Sequence, residues 1–215
     1  MKQRFFLGLI SLSAFLSSWE LAATAGEMAP TTQQTWTLRA LISELEENHF
    51  ADKRYNDAMS AAHLETYLER LDPSRLYFTQ SDIAEFMRYE DRLDDLGRQG
   101  ELSPLYEIFN LYAKLATERL DAIIGDMDPM VSGFDFEREE FIEADPRDRV
   151  WAASRDELDE RWRKRIKNQV LGLRLAEKED AEIAPTLVKR YENQKMRPEQ
   201  YNEQDVFDVN ANAPT

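Results

Sequence analysis

The chain has no cysteine, only seven glycines and only two histidines in 215 residues. Without cysteine it forms no disulfide, offers no thiolate nucleophile and takes no acyl anchor at an exported N-terminus. The fold must therefore be held by its core, and 42% hydrophobic residues are enough to build one. Glycine is too sparse for a phosphate-cradling loop, and neither a G-x-S-x-G nor an S-x-x-K pattern occurs. Positive charge is also scarce, with 27 Lys and Arg against 42 Asp and Glu, a formal net charge of −15. Such a chain repels phosphate backbones and anionic headgroups, which argues against nucleic acid and a membrane surface as partners.

The longest apolar run, Phe5–Leu16, has twelve residues, too few to span a bilayer. It follows Lys2 and Arg4 and leads to Ala23-Thr24-Ala25. This is the pattern of a cleavable Sec-type signal peptide over residues 1–25, with Ala23 and Ala25 marking the cleavage site and the periplasm of a Gram-negative bacterium as destination. Removing it takes away Lys2, Arg4 and Glu20, so residues 26–215 carry −16.

Apolar residues three and four apart, with few glycines between them, predict an all-α fold: an irregular domain of about six to seven helices over 26–196. Trp36, Leu38, Leu41, Ile42 and Leu45 mark a first helix, and Ala61, Leu64, Leu68 and Leu71 a second. The second stops at Asp72-Pro73, because the residue before proline avoids helical backbone. Thr79–Asp82 restarts a helix by capping, and Gly97 and Gly100 end it. Ser103-Pro104 opens the clearest helix of the chain. Residues 134–144 read as a short strand or an extended arm. Ser154–Glu157 is a capping box ahead of Leu158, Trp162, Ile166 and Val170. A last helix over about 180–196 contains Pro185, which should bend or delay its first turn. Residues 197–215 read as a polar, disordered tail, cut short where a longer chain would continue.

Candidate chemistry is thin. His49 and His63 lie fourteen residues apart on separate helices, outside any metal-ligand spacing, and read as helix-surface residues. Asp126, Asp128 and Glu137 match EF-hand positions, but Met130 and Val131 stand where a ligand and the turn glycine belong. Arg161–Lys167 (RWRKRIK) is the basic cluster, answered four residues earlier by Glu157, Asp159 and Glu160 in the favourable order along a helix. Adjacent acids such as Glu46-Glu47 do not converge for acid–base catalysis. No cofactor is expected. The most heavily specified stretch is the junction Leu71, Asp72, Pro73, Leu76, Tyr77, Phe78, Ser81 and Asp82, which reads as architecture.

The order of segments resembles the N-terminal helical region of the tail-specific proteases, periplasmic C-terminal-processing serine peptidases. The resemblance rests on YLERLDPSRLYFTQSDIAEF (67–86), LYEIFNLYAKLATERL (105–120), the stretch 156–193 with Trp162 and Lys189-Arg190-Tyr191, and EQDVF (203–207). It implies a non-catalytic domain that precedes a PDZ domain and a serine–lysine protease core, neither of which has a counterpart here. It implies protein partners: those missing domains, an adaptor lipoprotein or an unfolded substrate. A stand-alone helical adaptor or inhibitor is the other reading.

Overall fold

The computed structural model describes residues 27–48, 55–143, 145 and 149–211. Among them lie nine α-helices and no sheet. These are α1 (Thr32–Asn48), α2 (Asp57–Leu71), α3 (Gln80–Phe86), α4 (Leu93–Arg98), α5 (Ser103–Gly125), α6 (Met127–Gly133), α7 (Arg155–Leu175), α8 (Asp180–Gln200) and α9 (Glu203–Ala211). The all-α expectation holds, with more breaks than the periodicity suggests. The predicted helix after Thr79 divides into α3, a 3-10 turn at Met87–Tyr89 and α4. The irregular stretch after Gly125 includes α6.

The 23-residue α5, about 34 Å long at 1.5 Å per residue, is the spine. Pro104 sits in its first turn, where a missing N–H costs nothing. Its first half contributes Leu105, Ile108 and Phe109 to one core, with α1, α2, α3, α4 and α9. Its second half contributes Ala116, Leu120 and Ile123 to another, with α6, α7 and α8. Tyr112 packs against both. The packing of α5 on α8 is the most extensive helix pairing.

Glycine matters where α1 crosses α4. A Cβ on Gly97 would stand 2.6 Å from Ile42 Cδ1. Gly100 adopts φ +72°, and a Cβ there would stand 3.0 Å from the main-chain oxygen of Thr35. Position 100 therefore needs a residue without a side chain, whereas at Gly97 a Cβ would require only the end of the Ile42 side chain to shift.

Three expectations change. Residues 134–143 contain no strand and form the irregular alternative, an arm that bends at 136–138. Pro185 does not delay α8, which starts at Asp180 and runs through both Pro185 and Pro198. Sitting beyond the first turn, Pro185 removes the single bond its N–H would have made. Finally, residues 203–211 are helical rather than a disordered tail, and Val206 and Phe207 are buried in the first core. The run VFDV carries just enough apolar surface for one packed face, while the acidic residues around it turn to solvent.

Candidate functional site

Asp72 caps α2 with a non-helical backbone at φ −128° and ψ 65°, and its carboxylate turns back into the loop that follows. The Oδ1 atom accepts the N–H of Leu76 at 2.9 Å; Oδ2 accepts those of Tyr77 at 2.8 Å and Phe78 at 3.1 Å. Asp72 has no solvent exposure. Burial holds its carboxyl above the usual carboxylate range, against the opposing pull of the three N–H donors and of Arg161. Arg75, in left-handed backbone at φ 49°, reverses the chain after Pro73 and donates its N–H to the Asp72 carbonyl at 3.0 Å.

The carbonyls of the same loop are taken by α7. Arg161 Nη1 donates to the Arg75 oxygen at 3.0 Å, Trp162 Nε1 to Leu76 at 2.9 Å and Arg155 Nη1 to Tyr77 at 2.9 Å. Arg155 also grips both oxygens of Asp82, at 3.0 and 2.9 Å. Thr79 and Asp82 form a reciprocal capping box at the start of α3. A buried loop must satisfy its main-chain polar groups, and here one carboxylate and three side chains of α7 do so. Leu76 and Tyr77 point into the second core and Phe78 into the first. Phe78 packs edge-on to Phe86 at 5.5 Å, and Tyr77 edge-on to Tyr112 at 5.5 Å. Burial pushes the Tyr77 hydroxyl up to about 12, and it accepts a bond from Gln194 at 2.8 Å.

Of the eight junction residues read from the sequence, Leu71, Asp72, Leu76, Tyr77 and Phe78 are buried together, and Asp82 joins them through Arg155. Pro73 and Ser81 lie exposed at its edges. Ala23 and Ala25 lie outside the described residues, as does His49. His63 is buried rather than on the surface, its Nδ1 2.6 Å from the Tyr55 hydroxyl. The basic cluster keeps two of its expected pairs, Glu157–Arg161 and Glu160–Lys164, while Asp159 pairs instead with Arg119 of α5. Sequence reasoning missed that Arg155, Arg161 and Trp162 cap the junction. Nothing in a local pattern signals a bond across more than seventy residues.

A second polar network joins the first and last helices. The Tyr106 hydroxyl of α5 lies 2.9 Å from Gln34 Oε1 and 2.8 Å from the Glu203 carbonyl, its one proton shared between these two acceptors. Gln34 Nε2 donates to the same Glu203 oxygen at 2.7 Å. One turn along α5, Asn110 clamps the main chain of Met28 with bonds of 3.0 and 2.9 Å.

Two grooves, of about 390 Å³ between α2, α5 and α9 and about 310 Å³ beside Leu76 and Tyr77, open to the surface. The guanidinium groups in the second are already paired, Arg119 with Asp159 and Arg155 with Asp82. Among the described residues no group of three or more His, Asp or Glu is arranged to hold a metal, and no helix is long and apolar enough to cross a membrane.

Polar groups here are used to fix helices against one another, which defines a helical scaffold domain. The comparison with known proteins places it further. The family profile described as the tail specific protease N-terminal domain matches residues 41–215, and the chain belongs to that family. It is 29% identical over 183 residues to the tail-specific protease of Haemophilus influenzae. That match covers 84% of this chain and 26% of the relative, so the chain spans about a quarter of the relative's length.

Proposed function

We propose that the chain serves as the non-catalytic N-terminal domain of a periplasmic tail-specific serine protease, where it helps form the substrate chamber or receives an adaptor. The family match over residues 41–215 carries this reading. The network at 72–82 supports it, because polar groups committed to capping a loop are not free to act on a substrate. The pattern of residues 1–25 supports export, with the mature chain beginning at Gly26. Its partners are then the PDZ and protease domains, an adaptor lipoprotein or an unfolded substrate, and it needs no cofactor.

The test is a chimera in which this chain replaces the matching quarter of the Haemophilus influenzae relative. The chimera should degrade a protein with an apolar C-terminal tail, while the purified chain by itself leaves it intact. Cleavage by the isolated chain overturns the non-catalytic reading, and a folded but inactive chimera overturns the domain reading. Mass spectrometry of the periplasmic fraction checks export, with Gly26 expected as the first residue. The stand-alone adaptor reading makes the opposite forecast, that the chain alters proteolysis when added in trans.

A further inference from the structure

The groove between α2, α5 and α9, at about 390 Å³, is within the size range of small-molecule pockets. Its shape follows from how α9 is held. Val206 and Phe207 bury one face of that helix in the first core, and Asp205 and Val209, one turn apart, line the groove beside it. Arg70 and Leu71, from the last turn of α2, line it from the other side. Tyr112 of α5 and Tyr201, between α8 and α9, complete the lining.

The polar groups of the 72–82 junction are spent on one another; those of the groove are not. Among the described residues neither tyrosine hydroxyl has a hydrogen-bond partner. Arg70 forms no ion pair there, and its one bond is a long one, 3.4 Å to the Val209 carbonyl. Burial pushes the Tyr112 hydroxyl up, so it keeps its proton and remains a donor. The Tyr201 hydroxyl and the Arg197 guanidinium lie within electrostatic reach of it. Asp205 accepts the Asn202 N–H through Oδ2 at 2.9 Å, which leaves Oδ1 for a ligand. Asp208 accepts from Gln204 at 2.8 Å.

A guanidinium and a carboxylate therefore line one groove without pairing with each other, with two phenolic donors and an apolar surface between them. A ligand with a carboxylate alone would meet Asp205 and Asp208 in a chain of −15, and one with an amine alone would meet Arg70 and Arg197. A small zwitterion with an apolar body answers both charges. We propose that the groove binds a free apolar α-amino acid, with Arg70, Tyr112 and Tyr201 on its carboxylate, Asp205 on its ammonium, and Leu71 and Val209 against its side chain. Binding is measured on this chain alone and so does not depend on the protease assignment.

The probe is leucine, titrated into the unaltered chain and followed by ligand-observed NMR. Saturable binding is expected. Leucinamide lacks the carboxylate and N-acetylleucine lacks the ammonium, and each should bind about tenfold or more weaker, because each loses one charged hydrogen-bonding group. Tyr112→Phe removes a hydroxyl that serves no bond in the fold, so it should weaken leucine about fivefold and leave the melting temperature within about 2 °C of the parent. Arg70→Gln should erase the preference for leucine over leucinamide and keep that over N-acetylleucine; Asp205→Asn should do the reverse. Absence of saturable binding at millimolar leucine, or equal binding of leucine and its two analogues, overturns the proposal. Equal weakening of all three ligands by both variants would show that Arg70 and Asp205 act through the fold, and would overturn it too. If either variant loses its helical circular dichroism, the ligand series on the unaltered chain decides.

Discussion

Replacing Asp72 tests whether the junction is held by one carboxylate. In Asp72→Ala the N–H groups of Leu76, Tyr77 and Phe78 lose their acceptor inside the protein. A buried donor left unsatisfied costs about 1–3 kcal/mol, so three cost about 3–9 kcal/mol. In a protein of 150–250 residues each kcal/mol moves the melting temperature by about 2–4 °C, which predicts a fall of at least about 6 °C. Asp72→Asn keeps one acceptor oxygen and turns an NH₂ toward donors that want an acceptor. It should lose about half as much. Thermal unfolding followed by far-ultraviolet circular dichroism measures both. If the alanine variant melts within about 2 °C of the parent, the three bonds do not hold the junction and the reasoning fails. Acidity gives a second signature. Because the folded carboxyl is raised, the group's contribution to stability is full below its unfolded value of 3.8 and declines as pH rises through the folded one. Acid therefore does not unlatch Asp72 ahead of global unfolding, and the Asp72→Asn variant should lose this pH dependence.

Tyr77→Ser combined with Phe78→Ser empties a position in each core; at about 3–5 kcal/mol per large aromatic the pair approaches the whole stability of a domain, and a chain still melting cooperatively near the parent temperature would refute the pinning. Gly100→Ala forces a Cβ into left-handed backbone and against the Thr35 oxygen, for an expected loss of about 2–3 kcal/mol read from urea unfolding. Glu140 behaves oppositely to Asp72: its bonds to Arg163 and Lys167 hold it at about 2, so the stability it contributes is present above 4.5 and is lost as pH falls from there toward 2. Hydrogen exchange across the arm should accelerate over that interval in the parent and be insensitive to it in Glu140→Gln. Tyr106→Phe removes the hydroxyl that bridges α5 to Gln34 and the Glu203 carbonyl, and should raise amide exchange in α9 about tenfold, a loss of about 1–2 kcal/mol.

The helices with a continuous apolar stripe were legible in the sequence: α2 from Leu64, Leu68 and Leu71, α5 from Leu105 through Ile123, and α7 from Leu158 to Val170. So were the restart at Thr79 and the stop at Asp72-Pro73, because capping and proline act within a few residues. Hidden features depend on distant partners. His63 reads as a surface residue until Tyr55 covers it, and α9 reads as a polar tail until Val206 and Phe207 find the core prepared by α2 and α5. The basic run at 161–167 shows its charges to sequence reasoning, but not that Arg161 and Trp162 reach the carbonyls of residues 75 and 76. The arm was legible as irregular; which cations it meets was not.

Leu76, Tyr77 and Phe78 are consecutive, yet they belong to different cores. That division between Tyr77 and Phe78 has a thermodynamic consequence. Neither half can melt while the other keeps its loop, because withdrawing Phe78 from the first drags Tyr77 out of the second and opens the bonds from α7. Two cores sharing α5 would otherwise be expected to unfold as separate units; stitched through three successive residues, they should give a single calorimetric transition whose van't Hoff and calorimetric enthalpies agree.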